Sequence, residues 1–280
     1  MTILMALFLG LVQGIAEFLP ISSSGHLSIL QNLFNMDYNT EDHLLFDVLL
    51  RLGTLISICA VYRKELNAML SDGMEYLRMR GDSEGDEPAV LKPPARTLLF
   101  ILISTLPMVI TLIFSGSISR LFLNTAFVGF ALLVTGGLLY VSDKYITRGK
   151  KTEKTIQLSD AFFIGLVQAV AALPGLSRSG ATIAVGLARG LSGNFAVRFS
   201  LLLSIPAVLV ATIISLYRVI RDGADFSRFG IYFAGFVVAV VVGFFAIQFL
   251  RRLMAKGGLS KMAFYCWGVG IITILLSLIL

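Results

Sequence analysis

Hydrophobic positions in this chain fall into long runs broken by short polar stretches. Runs of about twenty residues, enough for a helix to cross a bilayer core of roughly 30 Å, lie at about 44–62, 97–114, 126–142, 198–218, 230–250 and 262–280. They predict six transmembrane helices. Two further stretches, 1–43 and 161–197, have apolar flanks but carry Pro, Gly, Ser and ionisable residues at their centres. Pro and Gly interrupt a helix, and non-helical backbone at membrane depth is tolerated only inside protein or beside a water-filled cavity. Each stretch therefore predicts two half-helices joined by a turn, a re-entrant hairpin. The run Ile3–Phe18 lacks a basic start and a small-residue cleavage site and contains Glu17, so it does not read as a secretory signal.

The interrupted stretches match each other. "GLVQGIAEFLPISSSGHL" from Gly10 aligns without a gap on "GLVQAVAALPGLSRSGAT" from Gly165, with eight identical pairs that include Gln13/Gln168, Ser22/Ser177, Ser24/Ser179 and Gly25/Gly180. Chance similarity of apolar segments favours Leu and Val, whereas these identities include Gln, Ser and Gly, so the match is an internal repeat. Each unit is a hairpin followed by three spans. Three is odd, so the second unit enters from the opposite side and the repeats are inverted. The expected fold is an all-α polytopic integral membrane protein: six transmembrane helices plus two re-entrant helical hairpins in an inverted repeat. It forms a single membrane domain over 1–280, with repeats at about 1–142 and 161–280 joined by a basic segment, 143–160.

Composition agrees with a lipid environment: 56% of residues are hydrophobic and 14% charged, and mean hydropathy is +0.86. The net charge of +6 sits in short connections and not on a soluble domain, so it reads as a topology signal and no nucleic-acid partner is expected. Segments 63–96, 143–160 and 251–261 are the basic ones and are expected in the cytoplasm, with the alternate connections around 115–125 and 218–229 outside. "RGDSEGDEPAVLKPPAR" reads as a flexible loop. Cys59 and Cys266 lie in apolar spans without metal-ligand spacing and read as buried, inert thiols.

Chemistry gathers in the two hairpins. Gln13 and Glu17 share one face of the first half-helix, and after Pro20 the chain runs through Ser22, Ser23, Ser24, Gly25 and His26. One of the three serines is expected to cap the second half-helix, whose free N–H groups attract anions. The other loop places Arg178 between Ser177 and Ser179, followed by Gly180 and Thr182, a set suited to phosphate oxygens. Together the tips offer a carboxylate, an imidazole, hydroxyls and a guanidinium, enough to bind and cleave a phosphate ester or anhydride. A structural reading stands beside this one: Glu17 and Arg178 could be a mutually satisfying ion pair, since a charge at helix depth costs on the order of 3 kcal/mol. Asp47 and Arg51 could pair within one helix or line the cavity mouth. A secondary transporter of an anion or phosphate-bearing lipid is the rival function, because inverted repeats with midplane hairpins serve transport as well.

"QGIAEFLPISSSGH" and "PGLSRSGAT" resemble the two signature motifs of the undecaprenyl pyrophosphate phosphatase family, the membrane enzymes linked to bacitracin resistance, and the resemblance extends over essentially the whole chain. It implies removal of the terminal phosphate from undecaprenyl pyrophosphate, a divalent cation such as Mg²⁺ or Ca²⁺, and a site facing the periplasm or cell exterior from the bacterial inner membrane. By position, Glu17 is the motif's second acidic residue and candidate metal ligand, Ser23 its central serine, His26 its histidine and Arg178 its phosphate-binding arginine. Gln13 stands where many members have Glu and cannot act as a base. Gln13, Ser22, Ser24, Gly25, Ser177, Ser179, Gly180 and Thr182 are the expected phosphate-binding set, and a homodimer is a plausible assembly. Two routes stay open: Glu17 activates water or Ser23 while His26 protonates the leaving group, or His26 takes the phosphoryl group itself.

Overall fold

The computed structural model describes residues 1–34, 41–81, 91–146, 148–223, 226–255 and 257–279, and every named element among them is a helix. The first half holds α1 (Ile3–Ala16), α2 (Ser23–Leu33), α3 (Glu41–Val61), α4 (Arg63–Gly81), α5 (Pro93–Thr105), α6 (Val109–Ile113), α7 (Ser115–Leu121) and α8 (Thr125–Asp143). The second holds α9 (Leu158–Val170), α10 (Arg178–Ala188), α11 (Gly193–Asp222), α12 (Phe229–Ala255) and α13 (Leu259–Ser277).

Six helical stretches among the described residues are long and apolar enough to cross a membrane: Leu44–Val61, Pro93–Thr111, Thr125–Asp143, Gly193–Arg221, Phe229–Ala255 and Leu259–Ser277. They coincide with the six runs read from the sequence. The second is interrupted, because Pro107 ends α5 in a 3₁₀ turn at Leu106–Met108 before α6 resumes. The stretch expected to be a loop, 80–96, departs from that reading at both ends: Arg80 and Gly81 finish α4, and Pro93 with Pro94 begin α5 as first-turn prolines, a position where the missing N–H costs nothing. Its centre, 82–90, lies outside the described residues.

Packing follows a paired pattern. α1 lies against α12 and α9 against α5; α3 also packs on α12, and α11 on α5; α3 meets α11, and α8 meets α13. Two repeated glycines explain the closeness of the first two contacts. A Cβ on Gly10 would sit 2.4 Å from the Gly235 carbonyl oxygen, and one on Gly165 would sit 2.4 Å from that of Ser104. Small residues let helices approach at backbone distance where lipid offers no hydrophobic driving force.

The three basic segments share one face. Arg96 donates to the carbonyls of Lys154 and Ile156 at 3.0 and 2.8 Å, Asp143 accepts from Ser260, and Tyr62, Thr152 and Arg251 line one cavity. On that face the fully buried Asp160 accepts from Lys151 at 2.7 Å and Arg189 at 2.9 Å, tying the connecting segment to the end of α10. Cys266 is buried as expected, while Cys59 is partly exposed.

Candidate active site

The turns between α1 and α2 and between α9 and α10 meet inside the bundle. Ser22 Oγ donates to the Leu176 carbonyl at 3.3 Å, and Ser179 Oγ reaches back to the Leu19 carbonyl at 3.5 Å. Each loop supplies a donor for the other's backbone, which matters where water is scarce. The approach needs glycine: a Cβ on Gly25 would fall 2.9 Å from the Gly175 Cα, and Gly175 has φ +90°, a conformation open to residues without a Cβ. Thr135 on α8 holds this turn by donating to the Gly175 carbonyl at 3.0 Å and accepting from the Ser177 N–H at 3.1 Å.

Of the three candidate serines, Ser22 caps α2, accepting from the Gly25 N–H at 3.2 Å; its repeat partner Ser177 caps α10, accepting from the Gly180 N–H at 3.1 Å. Each cap contributes about 1 kcal/mol. The N–H groups of Ser23 and Ser24, and of Arg178 and Ser179, have no backbone acceptor among the described residues. Two helix N-termini, each with its positive dipole end, thus border one cavity of about 210 Å³.

Glu17 is the one carboxylate lining that cavity among the described residues. Ser23 Oγ donates to its Oε2 at 2.6 Å and Gln13 Nε2 to the same oxygen at 3.2 Å, while Arg178 pairs with Oε1. The repeat makes this arrangement asymmetric. Ser23 and Arg178 are equivalent positions, the first residues of α2 and α10, whereas Glu17 corresponds to Ala172. One carboxylate is thereby gripped by the matching residue of each half. The ion pair of the structural reading is present, and the contact of Ser23 with the other oxygen has the geometry of a nucleophile and its base.

Gln13, Ser22, Ser24, Ser177 and Ser179 line the same cavity, together with Arg51 and Gln168. Arg51 lines the cavity, and Asp47 accepts from Gln31 at 3.2 Å. Gln168 is 1% exposed, donates to the Ser104 carbonyl at 3.4 Å, and leaves its Oε1 without a partner among the described residues. The repeat signalled this residue, which pairs with Gln13. Met108, Phe122, Ala207, Val208 and Ala211 add an apolar wall.

Four expected residues do not line the cavity. Gly25 and Gly180 act through close packing and their capped N–H groups. Thr182 donates to the Arg178 carbonyl at 2.9 Å and contacts Ser200 Oγ at 2.5 Å. His26 stands on another side of α2: Nδ1 meets the Ser22 carbonyl at 2.8 Å, and Nε2 meets the Tyr265 hydroxyl at 2.9 Å with the rings stacked. A carbonyl only accepts, so Nδ1 carries a proton, and in the neutral ring Nε2 accepts from Tyr265. Nothing in the sequence around Tyr265, an aromatic in an apolar run, marks it as the histidine's partner.

No group of three or more His, Cys, Asp or Glu side chains converges among the described residues. Mg²⁺ and substrate-bridged cations need less, commonly one or two carboxylates with phosphate oxygens and waters completing the shell. Glu17 and the amide oxygen of Gln13, which has no described partner, fit that limited role.

Fold and site define a class: a polytopic helical membrane protein whose interior joins a carboxylate, hydroxyls and a guanidinium at two opposed helix N-termini. The family model described as bacitracin resistance protein BacA matches residues 6–272, and the chain belongs to that family. Relatives named undecaprenyl-diphosphatase include those of Carboxydothermus hydrogenoformans, 36% identical over 97% of this chain and 96% of the relative, and Methanobrevibacter smithii, 39% identical over 99% of each. That of Alkaliphilus metalliredigens is 37% identical over the whole of both chains.

Proposed function

We infer that this protein hydrolyses undecaprenyl pyrophosphate to undecaprenyl phosphate and inorganic phosphate, recycling the lipid carrier of peptidoglycan and other cell-wall polymers and so conferring the bacitracin resistance for which its family is named. The observation that carries the reaction is the Ser23–Glu17 hydrogen bond of 2.6 Å, with Arg178 on the second carboxylate oxygen. On substrate entry the Arg178 guanidinium moves from Glu17 to the terminal phosphate, whose oxygens also receive the N–H groups of both helix N-termini. Release from Arg178 leaves the Glu17 carboxylate free to accept a proton from Ser23 as the substrate arrives. Ser23 Oγ attacks the terminal phosphorus, its proton passes to Glu17, and the bond to the bridging oxygen breaks to free undecaprenyl phosphate; water then removes the phosphoryl group from Ser23. His26, with both ring nitrogens engaged, positions the Ser22 turn in this scheme.

A divalent cation, Mg²⁺ or Ca²⁺, would be held by Glu17 and Gln13 with the diphosphate, and would supply neutralisation of the charge on its oxygens. The apolar wall accepts the first prenyl units. The exchange of partners in the helix packing supports an inverted repeat of re-entrant hairpins, and the shared basic face supports a cytoplasmic position for that end in the bacterial inner membrane, with the site opening outward. A homodimer would cover part of the apolar outer surface, and cross-linking in membranes tests it.

The deciding experiment is rapid quenching of purified protein with a terminally labelled prenyl pyrophosphate. Label is expected on Ser23 and absent from Ser23→Ala, whose phosphate release falls about 10³-fold or more. Full activity of Ser23→Ala would remove the serine; loss of activity without label in the wild type would assign the attack to water activated by Glu17.

A further inference from the structure

A second cavity, of about 690 Å³, opens on the basic face between the end of α3, the start of α11 and the last turns of α12. Its volume is in the range of small-molecule sites, roughly 300–1,000 Å³. It is separate from the Glu17 cavity: Arg51 of α3 lines the first and Tyr62, the residue just past the end of α3, lines the second, positions that helical rise places about 16 Å apart.

Three guanidinium groups border it, those of Arg198, Arg251 and Arg252. Arg198 is paired with Glu153, yet its Nε is buried without a partner among the described residues. Arg251 and Arg252 are exposed at the rim and have no carboxylate within ion-pair distance among the described residues. Tyr62 is only 2% exposed, lines the cavity, and has no hydrogen-bond partner for its hydroxyl among the described residues. The ring is buried while the hydroxyl reaches the arginine-rimmed space, where it can donate to a bound acceptor. The N-terminus of the 30-residue α11 lies here too, and its cap residue Ser192 makes no side-chain hydrogen bond to the first turn. Against these donors stand Glu65 and the already paired Glu153, so the cavity retains an excess of positive charge.

We propose that this cavity is a second anion site that takes a phosphate group, with Arg251, Arg252 and the Tyr62 hydroxyl as its recognition elements. Guanidinium forks match phosphate oxygens, and Phe195, Val197 and Met254 in the lining admit an apolar group attached to the phosphate. The phosphate of a prenyl monophosphate and free inorganic phosphate share this chemistry. The site sits at the end of the molecule opposite the proposed outer opening and does not depend on the reaction assigned to Glu17.

The test uses the full-length protein in detergent carrying Arg178→Gln, which removes the phosphate clamp of the other cavity. Equilibrium dialysis with radiolabelled inorganic phosphate and with a short-chain prenyl monophosphate is expected to show saturable binding of at least one. Adding Arg251→Gln and Arg252→Gln should weaken it by about tenfold or more. Tyr62→Phe, which removes one hydroxyl and leaves packing intact, should weaken it by about threefold or more. Prenyl monophosphate binding about tenfold tighter than inorganic phosphate identifies a lipid headgroup; equal affinities identify free phosphate. In the Arg178 wild-type background, Arg251→Gln with Arg252→Gln should leave phosphate release from a prenyl pyrophosphate within about twofold, because neither residue touches the Glu17 cavity. Absence of saturable binding by both probes, or binding indifferent to all three substitutions, overturns the site.

Discussion

In the proposed reaction Arg178 has two duties. Its side chain pairs with Glu17 while 23% exposed, and on that proposal it then offers two parallel donors to a tetrahedral phosphate, which a lysine lacks. Arg178→Lys keeps the charge and loses the fork, so kcat/KM is expected to fall by about 10² or more while the protein elutes as a single species in detergent. Near-normal kcat/KM would refute the clamp. The residues that gather in the cavity were legible because polar groups are costly at helix depth: Glu17, Arg178 and the serines stand out against an apolar background. Tyr265 was not, since a tyrosine in an apolar run has an ordinary reason to be there, and its pairing with His26 spans 239 positions of the chain. The side of α2 on which His26 falls was equally hidden. It depends on how an 11-residue helix is rotated as it packs against α1 and α8.

At the scale of elements, glycine decides how closely the helices approach. A Cβ on Gly165 would meet backbone, which cannot swing away as a side chain can. Gly165→Ala is therefore expected to destabilise the protein by about 1–3 kcal/mol, seen as a lower unfolding midpoint in detergent. Gly137→Ala is the control: nothing lies within 4 Å of its Cβ, and helix propensity favours the change by about 0.5–1 kcal/mol. Equal behaviour of the two would discard the close-approach account. The six long helices were readable because span length is a property of one run of residues. The break at Pro107 and the extension of α4 to Gly81 were less so: the first lies inside a run of full membrane-crossing length, and α4 is a polar helix whose charges read equally as a loop.

For the molecule as a whole, the basic face predicts which end lies in the cytoplasm. The topology reporters are cysteines at Thr152 and Leu123, after replacement of Cys59 and Cys266; Leu123 is chosen because its neighbour Asn124 caps α8, accepting from the Phe127 N–H at 2.9 Å. A membrane-impermeant thiol reagent applied to intact cells is expected to label Leu123→Cys and spare Thr152→Cys. The reverse result would turn the molecule over, and with it the side on which the lipid carrier is regenerated.

The crossed hydrogen bonds between the two turns carry a consequence for biosynthesis. Ser22 and Ser179 complete each other's loops, yet their codons are far apart, and a ribosome adding about 5–20 residues per second needs roughly ten to thirty seconds to travel from the first turn to the second. Throughout that interval the newborn N-terminal half holds a turn whose Leu19 carbonyl accepts only from the nearby Ile21 N–H, at 2.7 Å, and lacks the packing of the second turn, so it is expected to be open to membrane proteases. Cutting the gene within the codons for 143–160 and producing the halves separately should leave the N-terminal fragment short-lived. Co-production of the C-terminal half should extend its lifetime in a pulse-chase by about threefold or more, as expected when a binding partner stabilises only the assembled form.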